Sequence, residues 1–206
     1  LIGTSRRLGV ISQGIAFPLS ILPEGTWEVD QDVSDILGIV KYDPPMPACI
    51  GGMAKGNFPW FIPQTDEMRV HAVPDILNRH RGESVYATLK MDGSSVTYYV
   101  KDGIFGVCSR NIELQDTPTN SMWNVARQYD LERKMLELSK VIGDIAIQGE
   151  LVGPGINKNR HGFKVPDIYA FSVYSIEKNK YLDILDARNV AIGLGLKFVP
   201  ILKEAF

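Results

Sequence analysis

A lysine, an aspartate two residues on and a glycine directly after it stand in an apolar, β-prone stretch, Tyr86-Ala87-Thr88-Leu89-Lys90-Met91-Asp92-Gly93-Ser94-Ser95-Val96. A lysine amine becomes a nucleophile when burial or a nearby cation lowers its pKa. The run Ala87-Thr88-Leu89 offers such desolvation, so Lys90 is expected to be partly withdrawn from water. Asp92 could orient the amine or help to hold a divalent metal. Gly93 lets the backbone approach a ligand closely. A solvated hairpin lysine before an Asp-Gly turn explains the same string, and taken alone it is the commoner arrangement.

The weight comes from the companions downstream. Cys108-Ser109-Arg110-Asn111 puts Arg110 at a strand end, where a guanidinium could clamp phosphate or ribose. Gln148-Gly149-Glu150 puts Glu150 near the end of another strand, placed to accept from a ribose hydroxyl or a metal-bound water. Ala170-Phe171-Ser172-Val173-Tyr174 puts Phe171 on a third, where an aromatic face could stack on a base. Each has an ordinary structural alternative: a solvated turn, a strand-end charge, a core aromatic. Their order along the chain is what makes chance assembly the weaker account.

Lys90-Met91-Asp92-Gly93-Ser94-Ser95 resembles the signature of covalent nucleotidyltransferases, the DNA ligases, RNA ligases and mRNA capping enzymes. Ser109-Arg110-Asn111, Gln148-Gly149-Glu150 and the segment 170–176 resemble that family's next motifs in order. The stretch Phe58 to Arg69 looks most like ATP-dependent RNA ligases, in the branch where an OB domain precedes the catalytic one. The resemblance implies that Lys90 attacks the α-phosphate of ATP to give lysyl-AMP. AMP then passes to an RNA 5′-phosphate, and a 3′-hydroxyl is joined to it. It further implies Asp92 as the orienting partner of Lys90. Leu89 (through its backbone), Gly93, Arg110, Glu150 and Phe171 would form the nucleotide site. Mg²⁺ or Mn²⁺ would be the cofactor, held at Glu150 through water. Ser94 and Ser95 are weaker candidates for phosphate contacts. A DNA ligase, a GTP-using capping enzyme and a non-enzymatic nucleotide- or RNA-binding paralogue are the alternatives.

Two later family motifs, an acidic metal-binding strand and a Lys-x-Lys pair, have no counterpart. Lys178-Asn179-Lys180 has the second spelling but comes too early, in an expected hairpin tip. The chain opens mid-pattern at Leu1 and ends at Phe206 just after an apolar stretch, so a fragment of a longer protein is expected.

The elements that must carry these residues read as an α+β domain. Strands are expected over 83–90, 94–110 with a hairpin at Asp102-Gly103, 144–153 and 167–182. One helical period runs over 120–140, with Val125, Tyr129, Met135 and Leu138 as core contacts. A short helix at 185–196 and a last strand at 197–202 follow. Residues 65–82 read as two short helices parted by Pro74, with Thr65 as a cap. The fold implied is a nucleotidyltransferase domain, an ATP-grasp-like ligase adenylation fold of antiparallel sheets with helices, over 46–206. Before it, 1–45 would be part of an OB-type β-barrel and its linker. The breakers Pro44, Pro45, Pro47, Gly51, Gly52, Gly56 and Pro59 mark residues 43–59 as a loop.

Composition bounds the rest. The chain has 206 residues, 45% hydrophobic and 22% charged, with a formal net charge of −2. That is a globular composition without the overall basicity of histone-like nucleic-acid binders. RNA contact would need a local surface, and the loop 153–163, with Lys158 and Arg160, is the expected one. The histidines are scattered, and Cys49 and Cys108 have neither pairing nor metal-ligand spacing. This points to a cytoplasmic or other reducing intracellular compartment. No membrane span is expected, and the expected partners are ATP and RNA with 5′-phosphate and 3′-hydroxyl ends, met as a monomer.

Overall fold

The computed structural model describes residues 5–7, 10–12, 16–39, 53–65 and 70–203. The chain divides into two units, 1–45 and 46–206.

In the first unit, β1 (Ser5–Arg7) and β2 (Val10–Ser12) pair antiparallel. A single 3-10 turn covers Leu19–Ile21. One helical turn at 33–39 is closed by Leu37 N–H to Val33 O and stopped by Gly38, whose φ is +62°. Among the described residues these two strands do not close a barrel.

The second unit is α+β, built on one eight-stranded sheet. Its central hairpin is β5 (Ser94–Lys101) and β6 (Ile104–Ser109). Asp102 and Gly103 turn it at positive φ, the geometry a two-residue hairpin loop requires. The other strands are β3 (Ala54–Asn57), β7 (Ile112–Leu114), β8 (Ile145–Val152), β9 (Asp167–Ser175), β10 (Lys180–Tyr181) and β11 (Lys197–Phe198). The order is β10-β9-β8-β5-β6-β7-β3, with β11 parallel beside β9. A separate pair joins β4 (Ala87–Thr88) to β12 (Ile201–Lys203).

Side chains alternate across a strand, so the sheet has two distinct faces. Val96, Tyr98, Val100, Ile147, Leu151, Ile168 and Val173 form one, packed on helices α2 (Ser121–Gln128), α3 (Leu131–Ile142) and α4 (Ile184–Gly193). A four-residue helix, α1 (Ile76–Arg79), precedes β4. The opposite face carries Ser95, Thr97, Tyr99, Gln148 and Glu150. Its lower part is roofed by the segment 58–65. Phe58, Phe61 and Ile62 pack there on Tyr99, Cys108, Ala146 and Tyr174, and the Gln148 amide donates to Pro63 O at 2.7 Å.

Two expectations need correction. The single helix over 120–140 is two, because Asp130 takes a left-handed φ of +54° and restarts the chain at Leu131. That turn brings Leu131 into the core beside Met135. The expected loop 43–59 contains a strand, β3, at the sheet edge, where Gly56 and a register shift are tolerated. Residues 40–52 lie outside the described residues. The helix start expected after Thr65 falls on residues 66–69, outside the described residues; the Thr65 hydroxyl pairs with Ser95 Oγ at 2.7 Å.

Candidate active site

Lys90 is exposed, which corrects the expectation of a half-desolvated strand residue. The reason is local. The strand before it, β4, is only two residues long, and the ladder ends when Leu89 N–H donates to Pro200 O at 2.9 Å. Leu89 therefore has its amide committed. The next residue, Met91, is buried against Val152 and Val199, with Phe163, Tyr169 and Phe171 packed on the same cluster. An apolar anchor at 91 holds the turn down while its neighbours face outward.

Gly93 docks that turn on the sheet. Its N–H donates to Glu150 Oε1 at 3.0 Å. A Cβ on this residue would stand 2.1 Å from Leu151 O and 3.0 Å from Glu150 Cγ. Only a glycine fits so close an approach of two backbones. Ser95 lies opposite Glu150 in the β5–β8 register.

Glu150 is half-buried, and burial raises its pKa above the usual carboxylate value. The Gly93 N–H and the Lys90 charge pull it down, and the Asp92 charge pushes it up. Lys90, Asp92 and Glu150 are thus electrically within reach of one another. The Asp92 carboxylate itself meets Arg160 Nε at 3.1 Å and Asn157 Nδ2 at 3.3 Å. Among the described residues no ion pair joins it to Lys90. Both loop partners come from 153–163, which is held by its own hydrogen bonds and by the buried side chain of Ile156.

Arg110 is exposed one residue past β6. Since Ser109 pairs with Val96, and Val96 with Gly149, Arg110 sits at the same end of the sheet as Ser95 and Glu150. Phe171 occupies a β-bulge: Ser172 pairs with Gln148 and Ala170 with Gly149, which leaves Phe171 between them unpaired. The extra residue keeps Ala170 and Val173 in the helix-side core while Phe171 joins the Met91 cluster. Lys158 is exposed on the 153–163 loop.

The structure thus brings Met91, Asp92, Gly93, Glu150, Phe171 and Arg160 together around the Lys90 turn. Sequence reasoning missed Asn157 and His161, which also bind that turn. The only hint was the density of asparagine and glycine in the loop. Among the described residues no group of three or more His, Cys, Asp or Glu could hold a metal ion alone. Two neighbouring carboxylates, Asp92 and Glu150, suit a hard cation whose shell is completed by water and phosphate oxygens. Among the described residues no helix is long and apolar enough to cross a membrane.

Comparison with known proteins adds a family and a fold. The family described as RNA ligase matches residues 83–206. Solved structures of a Naegleria gruberi RNA ligase are similar to the chain. A lysine-to-alanine mutant with ATP and Mn superposes at a TM-score of 0.70 with 37% identity, over 97% of this chain and 60% of that one. The pyrophosphate complex gives 0.70 and 36%, over 98% and 61%. A lysine-to-methionine mutant with AMP and Mn gives 0.68 and 37%, over 98% and 61%. The chain therefore spans about three fifths of the length of the solved structures it matches. No curated protein matches it.

Proposed function

The chain belongs to the RNA ligase family, and from that premise we propose that it carries the nucleotidyl-transfer core of an ATP-dependent RNA ligase. The Lys90 amine, once deprotonated, attacks the α-phosphorus of ATP. A P–N bond forms, the α–β phosphoanhydride breaks, and pyrophosphate leaves. AMP then moves from Lys90 to an RNA 5′-phosphate, and attack by a 3′-hydroxyl joins the ends and releases AMP. Covalent capture divides one difficult displacement into easier ones.

The observation that supports this reading is the docking of the Lys90 turn, with Gly93 N–H on Glu150 and Met91 beside Phe171. It gives an exposed amine a fixed base, a carboxylate and an aromatic wall. In this reading Lys90 is the nucleophile and Asp92 its orienting partner, acting from a carboxylate anchored by Arg160. Glu150 takes the ribose, or the cation through water. Phe171 stacks on adenine. Arg110 meets phosphate or ribose, and Gly93 and the Leu89 backbone border the nucleotide. Mg²⁺ or Mn²⁺, near Asp92 and Glu150, neutralises triphosphate charge when bound. Lys158 and Arg160 face an RNA backbone.

The same reading makes 46–206 the adenylation domain and 1–45 the end of an OB-type domain and linker. The enzyme would work in RNA repair as a monomer, in a cytoplasmic or other reducing compartment. Cys108, buried and unpaired, is consistent with the last point.

The test is covalent labelling. The full chain is incubated with a divalent cation and ATP or GTP labelled at the α-phosphate, then denatured. Label from ATP alone, absent in Lys90→Ala, is the expected result. Label from GTP would turn the reading to a capping enzyme, and none from either nucleotide would overturn it.

A further inference from the structure

The Lys90 turn has almost no ladder of its own. Between the end of β4 at Thr88 and the start of β5 at Ser94, four of its polar backbone groups are met from distant parts of the chain. Pro200 O takes the Leu89 N–H and Glu150 takes the Gly93 N–H. Two more contacts come from the β8–β9 loop. His161 Nε2 accepts the Asp92 N–H at 3.0 Å, and the Asn157 amide donates to Gly93 O. The acceptor role at Nε2 leaves the ring proton on Nδ1.

The loop is shaped for this. Asn157 and Asn159 hold left-handed φ values of +46° and +44°, a region asparagine tolerates better than most residues. The Asn159 side chain accepts the Phe163 N–H at 3.1 Å and donates to Phe163 O at 2.9 Å, which closes a tight turn around His161. The His161 ring lies 5.8 Å from Phe163, itself part of the Met91 cluster. Ile156 anchors the base of the loop in the main core. A merely solvated basic loop would need none of these bonds.

We infer that Asn157 and His161 are positioning residues that fix the Lys90–Gly93 turn for attack on the nucleotide. The inference rests on the reading of Lys90 as nucleophile. Neither side chain need touch the substrate. Each satisfies a backbone group on either side of the Asp92–Gly93 peptide, so together they set where the flanking amine stands. Misplacing a reacting atom by about 1 Å costs on the order of 100-fold in rate.

Two readouts on the full chain test this. One is amide exchange at Asp92 and Gly93 without nucleotide. The other is the single-turnover rate of labelling from ATP, with ATP affinity measured beside it. His161→Ala and Asn157→Ala should quicken exchange at these amides and slow labelling by about 10- to 100-fold, with ATP affinity little changed. His161→Gln, which can present an acceptor oxygen, should recover both. Lys164→Ala, in the same loop, should match the unaltered chain. Unchanged exchange, or faster exchange with labelling at the native rate, overturns the inference. If the unaltered chain takes no label at all, the adenylylation reading falls and the assignment to that step falls with it. If the unaltered chain labels and the variants match it, only the inference falls.

Discussion

Gly93 and Glu150 meet backbone to side chain across the mouth of the sheet, with the Gly93 N–H on Glu150 Oε1 at 3.0 Å and no room for a Cβ between them. The contact couples the lysine turn to the strand that carries the candidate ribose or metal carboxylate. Gly93→Ala should therefore push the turn off β8. We expect labelling to fall by roughly 100-fold and stability by about 1–3 kcal/mol. Gly193→Ala is the contrast, because nothing lies within 4 Å of its added methyl. It should leave labelling intact. A Gly93→Ala chain that labels normally would mean that the close approach has no bearing on chemistry.

Glu150→Gln separates stability from activity. Burial, aided by the Asp92 charge, raises the Glu150 pKa. A raised folded-state value favours the fold at acid pH, and that contribution is lost as pH rises through the folded pKa. At neutral pH the charge is thus a cost, which glutamine removes while keeping an oxygen for the Gly93 N–H. The variant should therefore be more stable than the native chain at pH 7. The gain should vanish below the ordinary glutamate value of 4.5. Labelling should drop by about 100-fold. Urea unfolding at pH 7 and pH 4 decides it; an equal gap at both would refute the titration argument.

How much of this was legible follows from what each signal encodes. Asp102-Gly103 announced the central hairpin because its turn requires positive φ at both residues. Arg110 and Glu150 were legible as strand-end residues and Phe171 as a strand residue; Arg110 follows β6, Glu150 lies near the end of β8, and Phe171 lies within β9. The bulge at Phe171 was not, since a bulge is a mismatch between two strands and leaves no mark on one. Asp130 hid a helix break because the apolar period continues through it. The exposure of Lys90 was misjudged because apolar neighbours in sequence, Met91 above all, bury themselves rather than the lysine. Asn157 and His161 act through backbone groups far away in sequence, which no local pattern encodes.

Phe171→Ala addresses the base. If its ring stacks on adenine, its loss should weaken ATP binding by about 1–3 kcal/mol, roughly 5- to 150-fold. Phe171→Tyr should restore binding, because it keeps the aromatic face. Because Phe171 also packs on the Met91 cluster, both variants need a melting curve. ATP binding titrations at fixed cation concentration are the measurement. Equal affinity in Phe171→Ala would reduce Phe171 to a core residue.

Lys197 and Asp167 test what holds the floor of the site. Asp167 is nearly buried, and it accepts from Lys197 Nζ at 2.6 Å, Tyr129 Oη at 2.7 Å and the Ile168 N–H at 2.8 Å. Burial raises the Asp167 pKa, but Lys197, Tyr129 and Ile168 together hold it below the usual aspartate value, while Asp167 raises that of Lys197. The aspartate's contribution is present above its unfolded value and lost as pH falls through the folded one; the lysine's is lost only as pH rises through its own raised value. The pair therefore stabilises across the whole neutral range. Lys197→Met strands a buried charge, and we expect a loss of about 1–3 kcal/mol at pH 7, moderated by the exposure of the lysine head. The loss should shrink as pH falls below 4, when Asp167 is protonated in the unfolded chain and, in the variant, more readily in the folded one. Asp167→Asn added to Lys197→Met should recover part of it, since an amide oxygen still accepts from Tyr129. Lys197 also lies 5.5 Å over the Tyr169 ring, which packs on the Met91 cluster. A single variant as stable as the native chain at pH 7 would show that Tyr129 and the Ile168 amide suffice to hold the carboxylate.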